Sequence, residues 1–319
     1  MVKPVLVIAA LLGLLLLALS AGRVWLSPDQ LLMSLRAGAE EDVLLWHLRM
    51  PRALAGLFIG AGLGLAGAVF QSLLRNSLAS PDIIGVSQGA ALGGVAAQLA
   101  GIVTMLGALS GGVLATALIF SLSLSRRAGL DPRRLILYGI GVGITCSAAL
   151  SILLIQAGDA AAGQAMAWLA GSLNAMGWQE VQIAALALAV GALILLPAAH
   201  TLDRLEFGDD PARGWGLAIH RLRPLLLLSA ALLVSAMVAL AGTFSFVAFV
   251  SGPLARRMGR GQVNLVAAAA FGAGLVTLAD IATRVLAPSA LMPAGIYTSL
   301  IGAPLLVLIL HQKVIRDQI

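Results

Sequence analysis

Apolar runs long enough to cross a lipid bilayer recur along this chain. A helix that crosses ~30 Å of hydrocarbon needs about 20 apolar residues, and the first run, from Pro4 to Leu26, meets that length. Hydrophobic residues make up 60% of the chain and charged residues 11%, whereas a soluble domain has roughly 45–50% and about 25%. The sequence therefore excludes a disordered chain, a secreted disulfide scaffold and an ordinary cytosolic enzyme, and it predicts an all-α polytopic membrane protein.

The runs predict about ten transmembrane helices. The first run exceeds the roughly 7–15 apolar residues of a signal-peptide core, so we expect it to be retained as a helix. A short apolar stretch between Gly242 and Arg257 is too brief for an independent span, and we interpret it as a short crossing helix packed inside protein. The other eight runs lie near residues 52–74, 83–101, 103–125, 135–157, 180–202, 222–242, 262–287 and 293–312.

The distribution of positive charge supports ten spans over nine. With ten spans and both termini in the cytoplasm, most of the 20 lysines and arginines face the cytoplasm, as the positive-inside rule requires. The predicted cytoplasmic residues are Lys3, Arg75, Arg126, Arg127, Arg133, Arg134, Arg204, Arg213, Arg221, Arg223, Arg256, Arg257, Arg260, Lys313 and Arg316. The predicted outer residues are Arg23, Arg36, Arg49, Arg52 and Arg284.

Two segments are too polar to be spans. Ser27–Met50 is predicted to be an outer loop, with room for a short helix. Thr201–Arg223 carries both signs of charge and is long for a connection between helices, which indicates a functional role. Within it, Asp209 or Asp210 before Pro211 is typical of a helix N-cap followed by proline in the first turn.

Most catalytic motifs are missing. A nucleotide-binding P-loop needs a lysine after glycine, and the two lysines, Lys3 and Lys313, follow other residues. Cys146 is the only cysteine, so the chain forms no internal disulfide. The four histidines are far apart in sequence, and no metal site is predicted.

Two alternatives remain open at this point. Gly85-Val-Ser-Gln-Gly89 fits the nucleophile elbow of serine hydrolases, with Ser87 as the nucleophile and one of the four histidines as its base. A secondary transporter is the other alternative, because Asp280 lies inside an apolar run with Arg284 on the same helix face. Ionisable groups within the runs are otherwise scarce, which argues against ion coupling.

Several motifs in order resemble the FecCD family of importer permeases, which take up iron-siderophores, haem and vitamin B12. The resemblance covers roughly residues 45–312. Its motifs are Arg49-Met-Pro-Arg52, Gln71-Ser-Leu-Leu-Arg-Asn-Ser-Leu-Ala-Ser-Pro81, Gly85-Val-Ser-Gln-Gly-Ala90, Tyr138-Gly-Ile-Gly-Val-Gly143, Trp168-Leu-Ala-Gly-Ser-Leu173, Gly208-Asp-Asp-Pro-Ala-Arg-Gly-Trp-Gly-Leu217, Ala279-Asp-Ile-Ala-Thr-Arg284 and Pro293-Ala-Gly-Ile-Tyr-Thr-Ser-Leu-Ile-Gly-Ala-Pro304.

Two departures from the family pattern stand out. Ser77 replaces the proline of the usual Asn-Pro-Leu-Ala, and Ser251-Gly-Pro-Leu-Ala-Arg256 lacks the usual histidine. No role of that histidine carries over to this chain. The Ser-Gly-Pro variant resembles siderophore permeases more than the others, which is a weak indication of substrate.

The resemblance implies a transport subunit with no catalytic activity of its own. It implies one transmembrane permease domain over residues 1–319, a type II ABC importer bundle in the bacterial inner membrane. The expected partners are a second permease (identical or a paralogue), two ATPase subunits that bind ATP and Mg²⁺, and a periplasmic or lipid-anchored binding protein. This chain itself is expected to bind no cofactor, metal or nucleic acid. The predicted cargo is an iron(III)-siderophore moved by alternating access, with haem or cobalamin as the alternative.

The same resemblance implies three groups of functional residues. A coupling segment over 201–223 is expected to dock on the ATPases and to place four residues on one short helix: Asp209, Asp210, Arg213 and Leu217. The cytoplasmic gate is predicted at Asn76 and Leu78. Docking of the binding protein is predicted at Arg49, Arg52 and Arg284, whose alternative roles are anchoring in lipid headgroups and, for Arg284, pairing with Asp280.

Overall fold

Helices make up nearly all of the described chain. The computed structural model describes residues 4–22, 24–38, 40–125, 129–259, 261–286 and 292–317. Its α-helices are α1 (Pro4–Ser20), α2 (Pro28–Ala37), α3 (Met50–Leu73), α4 (Val86–Leu99), α5 (Thr104–Ser123), α6 (Pro132–Gln156), α7 (Asp159–Leu169), α8 (Trp178–Leu195), α9 (Ala199–Glu206), α10 (Asp209–Gly214), α11 (Ile219–Ala241), α12 (Val247–Met258), α13 (Leu265–Leu286) and α14 (Ala294–Asp317). A two-residue antiparallel pairing joins β1 (Leu124–Ser125) to β2 (Gly129–Leu130).

Helix α3 lies at the centre of the bundle and packs against α8, α11, α12 and α13. Glycine allows this close packing. A Cβ atom added at Gly67 would lie 1.9 Å from the carbonyl oxygen of Ala248 on α12, and one at Gly60 would lie 2.4 Å from that of Gly272 on α13. The backbones therefore touch directly, as small residues permit between membrane helices.

Each of the ten predicted apolar runs coincides with a helix of the structure. Within the described residues, six helical segments are long and apolar enough to cross a membrane, judged by length and composition alone: Leu44–Leu73, Thr104–Ser123, Pro132–Gln156, Trp178–Glu206, Ile219–Ala241 and Leu265–Leu286. Val5–Ser20 and Ala294–Ile309 are shorter apolar helices. The number of spans therefore stays a prediction, while the helical nature of the short stretch after Gly242 is confirmed by α12.

The first helix is shorter than predicted. It ends at Ser20 instead of Leu26, because the last carbonyls of α1 receive hydrogen bonds from an arginine of another helix instead of continuing the helical ladder. The first and last residues of the chain lie outside the described residues. So do five of the basic residues that the sequence analysis assigned to one side of the membrane: Lys3, Arg23, Arg126, Arg127 and Arg260.

The two polar segments contain more helix than the sequence suggested. In the first, α2 begins with a capping box, in which Gln30 bonds the backbone amide of Ser27 and Ser27 bonds that of Gln30. A π-helical turn, Leu44–Arg49, then leads into α3. The second segment forms α9 and α10 before α11 begins at Ile219.

The predicted N-cap of α10 is wrong. Gly208 occupies the cap position, and Asp209 is already the first helical residue. The chain turns there with a φ of 121° at Gly208, a conformation that side-chain-bearing residues rarely adopt. The carboxylate of Asp209 does not cap the helix because two arginines bind it, one from the turn after α3 and one from α11.

Candidate functional site

Asp209 connects the coupling segment to two other helices. Its Oδ1 atom accepts hydrogen bonds from Arg75 at 2.5 Å and from Arg223 at 2.7 Å, and its Oδ2 atom accepts another from Arg223 at 3.1 Å. Arg75 follows the end of α3, and Arg223 lies in the first turns of α11. One carboxylate thus holds α10 against both. The hydrogen bonds from Arg223, together with the charge of Arg75, hold the pKa of Asp209 below its usual range, so the group is ionised at neutral pH.

The remaining predicted coupling residues do not share one surface. Asp210 and Arg213 form an exposed ion pair at 3.2 Å on α10. Leu217 lies beyond the end of α10, where its amide bonds the carbonyl of Ala212 and its side chain packs against the core. The prediction that Leu217 belongs to the same helix is wrong, because α10 ends at Gly214 and the chain turns back toward the bundle.

An exposed aromatic pair flanks α10, and the sequence analysis missed it. The rings of Phe207 and Trp215 meet edge to face with centroids 5.9 Å apart, and the two residues are 74% and 51% exposed. Large aromatic side chains at a polar surface are typical of protein contact sites. The sequence could have indicated this pair, because Phe207 and Trp215 lie directly before and after the charged residues of α10.

A second ionic cluster holds α9 in place. Arg256 on α12 forms a two-pronged ion pair with Glu206 at the end of α9, one arm of which measures 2.9 Å. The same guanidinium donates to the hydroxyl of Ser72 on α3 at 2.8 Å. Asp203 on α9 accepts the backbone amide of Val263 at 2.8 Å. The coupling segment is therefore tied to α3, α11, α12 and the start of α13.

The predicted gate residues lie on an exposed turn directly after α3. The side chain of Asn76 accepts the backbone amide of Leu78 at 2.9 Å, and Leu78 is exposed. Arg75, which begins the turn, has a φ of 51°. At the start of α6, Asp131 caps the helix by accepting the amide of Arg133 at 2.9 Å. The structure of one chain does not test whether these turns close a pathway, so the gate stays a prediction.

At the opposite end of α3, Arg49 is buried and bound to backbone. Its guanidinium donates to the carbonyls of Leu19 at 2.7 Å, Ser20 at 2.9 Å and Val24 at 2.5 Å. A cation at the C-terminus of a helix satisfies its unpaired carbonyls and its dipole. Arg49 therefore caps the C-terminal end of α1, and its guanidinium nitrogens are already bound to carbonyl groups of this chain.

Arg52 and Arg284 both bind the buried carboxylate of Asp280. Arg52 approaches Oδ1 at 2.7 Å, and Arg284 approaches Oδ2 at 3.0 Å. Arg284 also donates to the carbonyls of Ala18 at 2.8 Å and Ala21 at 3.0 Å. The sequence predicted the pair of Arg284 with Asp280, and the structure confirms it. The second partner, Arg52, was not foreseen. Docking of a binding protein on these arginines is not tested by the structure.

The Ser87 hydroxyl donates to Asp82 at 2.5 Å and is buried at the start of α4. None of the hydrogen bonds in the described parts of the chain joins it to a histidine. In the catalytic triad an imidazole accepts the hydrogen bond from the serine hydroxyl, whereas here the Asp82 carboxylate accepts it. Ser87 therefore has the geometry of a local helix-start contact rather than that of a nucleophile.

The Ser-Gly-Pro variant has a specific packing role. Pro253 has no backbone N–H, which frees the carbonyl of Phe249 one turn earlier on α12. The side-chain amide of Gln71 on α3 donates to that carbonyl at 2.8 Å. Glycine at position 252 leaves room for the side chain of Gln71, because a Cβ added there would lie 2.0 Å from Oε1 of Gln71. Gln71, Gly252 and Pro253 thus join α3 to α12.

Comparison with known proteins gives a consistent result. The chain is 36% identical over 301 residues to the vitamin B12 import system permease protein BtuC of Serratia proteamaculans, covering 92% of this chain and 88% of that protein. It is 37% identical over 311 residues to the protein of the same name from Yersinia enterocolitica, covering 95% and 90%.

Solved structures give the same architecture. One chain, described as an inward-facing conformation of a metal-chelate type ABC transporter, superposes with a TM-score of 0.82 at 28% identity, covering 96% of this chain and 97% of that one. PsaBC from Streptococcus pneumoniae matches with a TM-score of 0.58 at 18% identity, covering 88% and 95%, which shows the fold alone. The model of the FecCD transport family matches residues 10–312. The chain therefore belongs to the FecCD transport family, as a membrane permease of the ABC importer type.

Proposed function

We propose that this chain is the permease subunit of an ATP-driven importer that moves a bulky metal chelate inward by alternating access. The observation that carries the proposal is the coupling segment, in which Asp209 ties a short, exposed helix to the end of α3 and to α11. A surface helix fixed in this way transmits a push from a docked ATPase to the bundle. We further propose that the chain crosses the membrane ten times with both termini in the cytoplasm. It pairs with a second permease and receives its cargo from a separate binding protein.

We favour a corrinoid of the vitamin B12 type as the cargo. The relatives named above are vitamin B12 permeases, which supports cobalamin over the iron(III)-siderophore that the Ser-Gly-Pro variant suggested. That variant has its own explanation in the contact between Gln71 and the carbonyl freed by Pro253. It therefore carries less weight as an indication of substrate.

Uptake by a reconstituted complex tests both parts. The permease is assembled in proteoliposomes with its ATPase and binding protein, and the import of labelled cyanocobalamin, a ferric hydroxamate and haem is compared with ATP and with a non-hydrolysable analogue. We expect ATP-dependent import of cyanocobalamin above the other two. ATP-dependent import of the ferric hydroxamate alone would transfer the assignment to siderophores. Import without the ATPase would indicate a secondary transporter.

Docking of the binding protein is tested with the arginine whose removal disturbs the fold least. Arg49 and Arg284 hold α1, so reversing their charge disturbs the bundle itself. Arg52 is the most exposed of the three arginines, with 18% of its side chain accessible, and Arg52→Gln leaves Asp280 paired with Arg284. The variant is expected to weaken binding-protein affinity and its dependence on salt. Its thermal midpoint is measured alongside, which separates a loss of docking from a loss of stability. Exposed Arg36 on α2 provides the matched control, Arg36→Gln.

A further inference from the structure

Arg75 lies between the two regions that an importer must connect. It directly precedes the turn that carries Asn76 and Leu78, and its guanidinium reaches Asp209, the first residue of α10. We propose that the ion pair between Arg75 and Asp209 is the link through which the coupling helix sets the position of the gate turn. The inference rests on the proposed function and adds the contact through which that function works.

The two arginines on Asp209 differ in a way that assigns them different tasks. Arg223 is buried, with 4% of its side chain exposed, and it contacts both carboxylate oxygens. Arg75 is 37% exposed and contacts one oxygen. Two-oxygen contact from a buried fork fixes orientation. Arg223 therefore anchors α10 to α11, and the solvent-accessible contact with Arg75 is the one that can break and reform.

The backbone of Arg75 provides an independent observation. The amide of Arg75 bonds the carbonyl of Ser72, and that of Asn76 bonds the carbonyl of Gln71, which is the hydrogen-bond pattern of a Schellman helix end. The residue at this position has a positive φ and is usually glycine. Here an arginine has a φ of 51°. An arginine in a glycine position is explained by its side chain, which reaches Asp209.

Together these contacts form one continuous connection. When α10 and α11 move together relative to α3, the carboxylate of Asp209 moves with them and pulls or releases the guanidinium of Arg75. The turn of Asn76 and Leu78 follows, because it is held to Arg75 by the backbone and to itself by the bond from the Leu78 amide to Asn76.

Arg75→Gly is the decisive variant, because glycine suits the backbone at this position and removes only the side chain. Uptake and ATP hydrolysis are measured in the reconstituted complex, using Arg75→Gly, Arg75→Lys and Arg257→Gln. Arg257 is an exposed arginine at the end of α12, outside the coupling segment, and provides the charge-matched control. We expect Arg75→Gly to keep the thermal midpoint and ATPase assembly while transport per ATP falls at least ten-fold. Arg75→Lys is expected to restore part of the transport, and Arg257→Gln to match the parent.

A second readout follows the turn itself. In a Cys146→Ser background, which removes the only cysteine, Leu78→Cys is labelled with a maleimide in the presence and absence of ATP. We expect the labelling rate to depend on ATP in the parent and to lose that dependence in Arg75→Gly. The proposal is overturned if Arg75→Gly transports like the parent, or if it loses ATPase assembly, since Arg75 would then act in docking. Failure of the parent complex to transport with ATP would instead refute the proposed function.

Discussion

Arginine–carboxylate clusters lie at both ends of α3, and they are built differently. At its start, Arg49 and Arg284 donate to backbone carbonyls of α1, while Arg52 and Arg284 share Asp280, which is 2% exposed. After its end, Arg75 and Arg223 share Asp209, whose side chain is 29% exposed. The first cluster closes a helix end with groups withdrawn from water. The second joins separate helices through Asp209 and Arg75, which water still reaches, and through the buried Arg223.

The two clusters respond differently to the loss of a partner. A buried charge that loses its partner is left without water, so the cluster around Asp280 resists rearrangement. An ion pair at a surface is exchanged for water at little cost. The first cluster therefore suits a fixed scaffold, and the second suits a contact that changes during a transport cycle.

Asp280→Asn is expected to have the largest effect. It removes the only carboxylate between Arg52 and Arg284 and leaves both charges uncompensated. Breaking a buried pair in this way costs about 3–5 kcal/mol. We expect a lower thermal midpoint and a loss of monodisperse protein in detergent, measured by scanning fluorimetry and size exclusion. A midpoint equal to that of the parent would contradict the scaffold role.

Arg49→Gln is expected to come second. The shorter, neutral side chain does not reach the three carbonyls that Arg49 binds at the end of α1. Hydrogen bonds to a charged group contribute about 1.5–3 kcal/mol, and Arg49→Lys is expected to retain part of that. Proteolysis near residues 20–26 provides the measurement, since a released α1 end becomes cleavable. Unchanged protection in Arg49→Gln would show that α1 is held by packing alone.

Asp209→Asn is expected to reduce transport more than stability. The amide keeps the shape of the side chain but loses the charge that attracts Arg75 and Arg223. We expect transport per ATP to fall about ten-fold, with a thermal midpoint that moves less than in Asp280→Asn. A larger loss of stability than in Asp280→Asn would reverse the assignment of fixed and changeable clusters.

The pH dependence of this cluster follows from the lowered pKa of Asp209. A carboxylate whose folded pKa lies below its usual value of 3.8 stabilises the fold above that value, and the contribution is lost as the pH falls through the folded pKa. We therefore expect coupling to be constant from about pH 8 to pH 5. A marked change in transport per ATP across that window, absent in Asp209→Asn, would contradict the pairing.

Asp210→Asn is expected to have the smallest effect on the fold. The side chain of Asp210 is 94% exposed, and its pair with Arg213 joins neighbouring turns of the same helix. Exposed pairs contribute little to stability. The thermal midpoint is expected to equal that of the parent, while affinity for the ATPase provides a separate readout of docking. A drop in the midpoint similar to that of Asp280→Asn would remove the contrast between buried and exposed pairs.

Features that depend on neighbours along the chain could be predicted from consecutive residues. Apolar run length predicted the positions of the membrane helices, including the short α12, and a spacing of four residues predicted the pair of Asp280 with Arg284. Helix periodicity and lipid solvation are local rules, so they can be read from consecutive residues. Motif order was specific enough to indicate the family.

Contacts between groups that are distant in sequence depend on how the helices pack. Arg75 and Asp209 are 134 positions apart, and Arg52 and Asp280 are 228 apart. No spacing rule selects such partners, because they meet only once α3, α11 and α13 have packed. The same reason explains the errors at α10. The local sequence predicted Asp209 as the N-cap of its own helix. In the folded bundle, two guanidinium groups bind that carboxylate instead.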